Sequence, residues 1–215
     1  MKIFRLVFSP IEVNTYILAA ESGSCIVIDC GCFSQGEFDS LSGFLDKNRL
    51  KPAMLLSTHC HLDHIFGNKR FLEKYGIGTM CHALEKENRD DAVSHAMLWG
   101  LKMDTPPEPV KLINGGDVIE MEEIRLKALF VPGHTSGSLA FYSETDGVVI
   151  TGDALFSGSI GRTDLQGGDF ETLIHSIKTE LFTLPPATVV YPGHGEATTI
   201  GAELKTNPYF SGSIG

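Results

Sequence analysis

Five short apolar runs, each ending abruptly in a polar side chain, dominate the hydropathy pattern of this chain. They are Cys25-Ile26-Val27-Ile28-Asp29, Met54-Leu55-Leu56-Ser57-Thr58-His59, Leu129-Phe130-Val131-Pro132-Gly133-His134, Val148-Val149-Ile150-Thr151-Gly152-Asp153 and Val189-Val190-Tyr191-Pro192-Gly193-His194. Aliphatic runs of this length fit strands buried on both faces. Glycines directly precede His134, Asp153 and His194, where they let the backbone turn sharply as a strand stops. Several strand ends are therefore expected to converge on one place, the usual position of a functional site in layered α/β folds.

Helical patterns separate these runs. Ser34 and Glu37 have the spacing of a capping box, followed by Phe38, Leu41, Phe44 and Leu45 at helical intervals. A second helix is predicted from Asp63 or His64 to about Tyr75, with Phe66, Phe71 and Leu72 inward. A third is predicted over residues 170 to 181, with Phe170, Leu173, Ile174, Ile177 and Leu181 on one face. Asp146-Gly147 signals a hairpin joining residues 139 to 142 with the strand that ends at Asp153. Residues 83 to 105 read as a helical excursion, charged at first and then rich in Met97, Leu98, Trp99, Leu101 and Met103. Helix-spaced aromatics and methionines usually fill a core; the alternative is that Met97, Trp99 and Met103 shape an apolar substrate pocket.

The densest chemistry lies in His59-Cys60-His61-Leu62-Asp63-His64, four strong metal-binding side chains directly after a buried strand. Histidine is the commonest metal ligand, and a neighbouring carboxylate suits zinc, manganese or iron. In extended chain, side chains two apart point the same way, whereas neighbours diverge. One run could thus feed two metals, one through His59 and His61, the other through Asp63 and His64. The same alternation aims Cys60 away from the metals, as a small buried hydrophobe, and Cys30 and Cys32 are expected to pack nearby in the same way. His82, His95 and His175 do not end apolar runs and are expected to be surface or capping residues.

Composition narrows the function. With 215 residues and 42% hydrophobic content, the chain can bury a substantial core in one domain spanning 1-215. A formal charge of -10 argues against nucleic acid, whose binding rests on a basic surface. No stretch is long and apolar enough to span a bilayer, and the first eight residues lack the apolar region of a signal peptide. The five cysteines form an odd set with no CxxC pair, which predicts reduced thiols and a cytoplasmic location.

Taken together, the ordered set His59, His61, Asp63, His64, His134, Asp153 and His194 resembles the signature of the metallo-β-lactamase superfamily. Asp29, in Ile28-Asp29-Cys30-Gly31, matches that family's first motif, where it supports the ligands without touching the metal. The likeness runs from Asn14-Thr15-Tyr16 to Asn207-Pro208-Tyr209. It implies a four-layer αββα sandwich of two mixed β-sheets flanked by helices. It also implies one metal held by His59, His61, His134 and Asp153, and another held by Asp63, His64, His194 and the bridging Asp153, with Asp63 also counted as catalytic. Two divalent ions, zinc with iron or manganese as alternatives, would then share a bridging hydroxide.

Within the superfamily, Gly158-Ser159-Ile160-Gly161-Arg162-Thr163-Asp164 is similar to a segment of glyoxalase II-like enzymes and persulfide dioxygenases. The chain resembles the short glyoxalase II-like proteins, without the helical C-terminal domain that carries glutathione contacts in full-length glyoxalase II. The implied reaction is hydrolysis of a small thioester of the hydroxyacylglutathione type. A thiolate is a good leaving group, with a conjugate-acid pKa of about 8.5, so no strong general acid is required. Arg162 either clamps a substrate carboxylate or pairs with Asp164 to brace its loop. The rival implied by the same motifs is a mononuclear Fe(II) persulfide dioxygenase using His59, His134 and Asp153, and a third class is a non-enzymatic metal-binding module. The expected partner is a small thioester or thiol-derived molecule; oligomeric state is left open.

Overall fold

In the computed structural model, which describes residues 1–211, the chain forms two compact units. One comprises residues 1–113 with 121–124, and the other 114–120 with the chain from 125 onward. Two six-stranded mixed sheets with interspersed helices make this the mixed α/β architecture that the apolar runs predict.

In the first unit, β1 (Lys2–Phe8) and β2 (Val13–Ala19) form an antiparallel hairpin, and β3 (Ser24–Ile28) pairs antiparallel with β2. Then β4 (Lys51–Leu56), β5 (Thr79–Cys81) and β6 (Lys111–Leu112) add in parallel, in the spatial order β1 to β6. Parallel neighbours require crossovers, and helices supply them. The connection from β3 to β4 is α1 (Gln35–Lys47); α2 (Leu62–Ile65) and α3 (Asn68–Tyr75) join β4 to β5, and α4 (Lys86–Leu98) follows β5.

The capping box starts α1 as predicted. Ser34 Oγ accepts the Glu37 N–H at 3.2 Å, and Glu37 Oε2 accepts the Ser34 N–H at 3.0 Å. Glu37 also accepts the N–H groups of Phe33 and Ser9, which ties the β1–β2 turn to the helix start. Phe38, Leu41 and Leu45 are buried in a core with Ile17, Val27, Leu55 and Phe71. The helix predicted from Asp63 or His64 to Tyr75 is in fact two. The Gly67 N–H bonds the Cys30 carbonyl at 2.8 Å instead of continuing the helical ladder, so the chain kinks between α2 and α3.

The second sheet contains β7 (Val118–Met121), β8 (Ile124–Phe130), β9 (Leu139–Ser143) and β10 (Val148–Gly152). A small separate hairpin, β11 (Leu155–Phe156) with β12 (Ser159–Ile160), intervenes before β13 (Val189–Pro192) and β14 (Thr198–Thr199). The spatial order is β14-β13-β10-β9-β8-β7, with β10 and β13 parallel. The Asp146-Gly147 turn joins β9 to β10 with Ser143 opposite Val148, as the hairpin signal predicts.

Asp169 caps α5 (Phe170–Ser176) through the Thr172 N–H, and a π-helical turn (Ile177–Leu181) prolongs it; α6 (Ile200–Thr206) and α7 (Pro208–Ser211) follow. Leu173, Ile177 and Leu181 are buried with Val149, Val190 and Phe210. Phe170, expected inward, is 44% exposed; it is the first residue of the helix, and its ring lies against Tyr209.

Met97, Leu98 and Trp99 at the end of α4 do not fill core: they are 70%, 84% and 70% exposed. Only Met103 packs inward, on a cluster of Cys60, Ile65, Cys81 and Ala92. No helix among the described residues is long and apolar enough to cross a membrane.

All five cysteines are buried free thiols. Burial pushes the Cys25 thiol up to about 12 and Cys32 well above the usual thiol range, and the hydrogen bond that Cys60 makes to Cys81, then burial, holds Cys60 well above that range as well. The folded protein should therefore be inert to a thiol–disulfide reagent at pH 8 while all five thiols react in denaturant; fast reaction in the native state would contradict this packing. Ser34→Ala should lower unfolding free energy by about 1 kcal/mol in urea titration, the typical worth of such a cap.

Candidate metal centre

In the first unit, the His59 to His64 run leaves the end of β4 as a loop hung on Asp29. This carboxylate, just past the end of β3, is 1% exposed and has a left-handed backbone (φ 57°). Its Oδ1 accepts the Thr58 N–H at 2.8 Å; Oδ2 accepts the Thr58 hydroxyl at 2.7 Å and His64 Nδ1 at 3.0 Å. His59 Nδ1 lies 3.1 Å from Thr58 Oγ1, and because that hydroxyl hydrogen is committed to Asp29, the imidazole N–H is the donor. One carboxylate thus fixes the tautomers of two histidines, leaving Nε2 of each as the electron-pair donor for a cation.

The donors cluster accordingly. The ring of His59 is 4.9 Å from that of His61 and 4.0 Å from that of His64. His64 Nε2 is 3.6 Å from Asp63 Oδ2. Two atoms each about 2.1 Å from one tetrahedral cation stand about 3.4 Å apart, so this pair is spaced as ligands of a shared ion.

In the second unit, His134, Asp153 and His194 follow the ends of β8, β10 and β13. Asp153 Oδ2 is 3.6 Å from His134 Nε2 and also 3.6 Å from His194 Nε2. One carboxylate oxygen is therefore flanked by two imidazole nitrogens, each at the separation of ligands to a shared cation. His134 Nδ1 donates to the Arg162 carbonyl at 2.8 Å, which again frees Nε2. Phe156 packs edge-on to His194.

The Gly158 to Asp164 segment is a support for these residues. A Cβ on Gly161 would lie 1.9 Å from the Asp153 carbonyl oxygen and 3.0 Å from His134 Nδ1, so only glycine lets the segment lie this close. Its hairpin is anchored by α6: the buried Glu203 carboxylate accepts the Gly158 N–H, the Asn207 side-chain amide and the Thr198 hydroxyl, and Asn207 also donates to the Ser159 carbonyl. The Arg162 guanidinium makes two 2.8 Å bonds to Asp164, whose carboxyl it holds down at about 2. A substrate carboxylate would have to compete with that pair.

Other residues fall where the alternation predicts. Cys60 is buried beside Cys81, and His82 caps the turn before α4 by accepting the Leu84 N–H. Sequence reasoning missed Thr58, Glu85, Glu203 and Asn207. Thr58 sits between an apolar run and a histidine cluster that draw the eye, and Glu85 stands in a charged helical stretch where nothing marks it as buried.

Mixed-sheet α/β units that bring histidine and carboxylate donors together near strand ends, in groups that could hold a metal ion, have the architecture of a metallo-hydrolase fold. Residues 9–194 match the metallo-beta-lactamase superfamily, and the chain belongs to it. It is 37% identical over 214 residues to the probable metallo-hydrolase YqgX of Bacillus subtilis, covering 99% of both chains. It is 31% identical over 213 residues to the hydroxyacylglutathione hydrolase GloC of Haemophilus influenzae, covering 98% of this chain and 99% of the other. Among solved structures it is similar to the B3 metallo-beta-lactamase BLEG-1 (31% identity, TM-score 0.90, 98% and 100% coverage) and to TTHA1623 in a di-iron-bound form (35%, 0.86, 96% and 99%). ETHE1 from Myxococcus xanthus also matches (26%, 0.81, 99% and 85%).

Gly161→Ala should force the segment off Asp153 and His134, costing about 1–3 kcal/mol in urea unfolding, the usual scale of overpacking. An unchanged stability would show that this close approach is not needed.

Proposed function

We propose that the two donor sets form one binuclear centre at which small thioesters of the hydroxyacylglutathione type are hydrolysed. In this reading His59, His61, His134 and Asp153 hold one cation, and Asp63, His64, His194 and Asp153 hold the other. The observation that carries it is the placement of Asp153 Oδ2, 3.6 Å from both His134 and His194 Nε2. Bound there, two divalent cations, zinc in this reading, supply hydroxide at neutral pH and Lewis-acid polarisation of the acyl group.

The chain's own residues do the rest. Asp29 and the Arg162 carbonyl hold imidazoles in the tautomer that presents Nε2. Asp63, whose Oδ2 lies 3.6 Å from His64 Nε2, would help hold one cation, and its second oxygen would accept a hydrogen bond that orients the nucleophile, the catalytic part proposed for it. Asp63 and Asp153 leave the occupied centre net positive on a chain of charge -10, which draws a small anionic thioester to this point and not to the surface at large. The departing thiolate needs no protein acid, because its conjugate acid has a pKa of only about 8.5. Buried thiols suit work in the reducing cytoplasm.

Similarity to GloC supports the thioester over other acyl substrates. The rival reading is a mononuclear Fe(II) persulfide dioxygenase using His59, His134 and Asp153; the di-iron-bound form of TTHA1623 supports iron as an alternative metal but places two ions, not one.

Purified protein assayed for metal content, and against lactoylglutathione, other small thioesters, a β-lactam and glutathione persulfide with an oxygen electrode, separates these readings. Thioester turnover without oxygen uptake is expected. One tightly bound iron per chain with persulfide-dependent oxygen uptake, or faster turnover of the β-lactam, would overturn the proposal. His134→Ala and Asp153→Ala should each reduce kcat/KM by well over 100-fold, since losing even a partner that supports a ligand costs about 10–100-fold. Both variants should retain the wild-type fold by circular dichroism, because these ligands end strands and do not fill core.

A further inference from the structure

Glu85 is a carboxylate with no solvent exposure, in the single turn (residues 83 to 85) that precedes α4. Its Oε2 accepts the Cys60 N–H at 2.7 Å and the side-chain amide of Asn88 at 3.2 Å. Cys60 is the residue between His59 and His61, so this bond grips the peptide that joins two candidate ligands. A buried backbone N–H must find an acceptor, and for Cys60, in the loop beyond the end of β4, Glu85 supplies it. The side chain of Cys60 is itself turned into the cluster of Ile65, Cys81 and Ala92, away from its neighbours in sequence.

We propose that Glu85 is a positioning residue for the metal loop: by holding the Cys60 amide it sets the direction in which His59 and His61 leave the backbone. The bonds of Asp29 fix Thr58 on one side of the pair and His64 on the other, and Glu85 holds the Cys60 amide between them. A carboxylate is suited to the task because one oxygen takes the Cys60 amide and the Asn88 amide together, which couples the loop to the first turn of α4. At 2.7 Å the Cys60 bond is at the short end of the N–H···O range.

The inference rests on the proposed assignment of His59 and His61 as metal ligands, and metal affinity, not turnover, tests it. Metal-stripped wild type, Glu85→Gln and Glu85→Leu are titrated with Zn(II) against a chromophoric chelator, and their melting temperatures are measured without metal. Glu85→Gln can keep an acceptor oxygen on the Cys60 amide and should bind within about threefold of wild type. Glu85→Leu matches the volume but offers no acceptor, and should bind about 10–100-fold more weakly, the range for partners that orient ligands. Equal affinity of Glu85→Leu and wild type, with only the metal-free melting temperature lowered, would make Glu85 merely structural and overturn the proposal. Equal weakening of both variants would overturn the amide-acceptor role.

Hydrogen exchange on metal-free wild type gives a check that needs no variant. The Cys60 amide should be protected to the level of the neighbouring strand, and exchange at a loop rate would refute the clamp. Wild type that binds no zinc, iron or manganese would instead bring down the metal assignment itself, a failure distinct from either outcome with the variants.

Discussion

A carboxylate taken out of water is costly unless hydrogen bonds replace its hydration, and the Asp29 site is organised around that constraint. Its two oxygens collect the Thr58 N–H, the Thr58 hydroxyl and the His64 imidazole. Its backbone carbonyl takes the Thr15 hydroxyl and the Gly31 N–H, and its own N–H bonds the Leu56 carbonyl. Residues from β2, the end of β3, the end of β4 and α2 therefore meet at one residue, the first three through its backbone and the last through its carboxylate. The bonds that make burial of Asp29 tolerable are the same ones that aim His59 and His64, so the stability of this corner and the geometry of the donors cannot be varied independently.

The second unit solves the same problem with a different acid. Glu203, on α6, is satisfied by a backbone amide, a side-chain amide and a hydroxyl, and thereby pins the β11–β12 hairpin. The chain leaving that hairpin lies against Asp153 and offers the Arg162 carbonyl to His134. Side-chain donors fixed by local loops alone would sample several rotamers; tethering the loops to buried acids converts them into rigid mounts. In each unit the acid is remote in sequence from the donors it serves, by 35 residues between Asp29 and His64, which lets separate elements of the fold enforce one local geometry.

Much of this was legible in the sequence because two periodicities carry it. The aliphatic runs become β3, β4, β8, β10 and β13, and the Ser34 and Glu37 spacing becomes the start of α1. The donors at strand ends were visible because a histidine or aspartate after an apolar run has few bland explanations. What the sequence hides is whatever depends on a partner far along the chain. The kink at Gly67 comes from a bond to the Cys30 carbonyl, and the burial of Glu85 and Glu203 comes from amides that local pattern does not mark. The apolar end of α4 misleads for a related reason: helical spacing shows that Met97 and Trp99 share a neighbourhood, but burial depends on what the fold brings against them, and they are left exposed.

Cys60 shows how sharply the fold sorts donors by chemistry. A thiolate between His59 and His61 would compete for soft metals and change the character of the centre. The chain instead turns the side chain into an apolar cluster, and the hydrogen bond it makes to Cys81 together with burial favours the protonated thiol. The donors that remain available in the proposed centre are five imidazoles and two carboxylates, a set suited to zinc, iron or manganese and poor for thiophilic ions. Alternation along an extended backbone does this sorting at no cost in space: the residue between two outward ligands must point inward, and a small polarizable side chain fills that position without strain. The clamp on its amide by Glu85 then holds the alternation in register, so that the same peptide that hides the sulfur presents the two imidazoles.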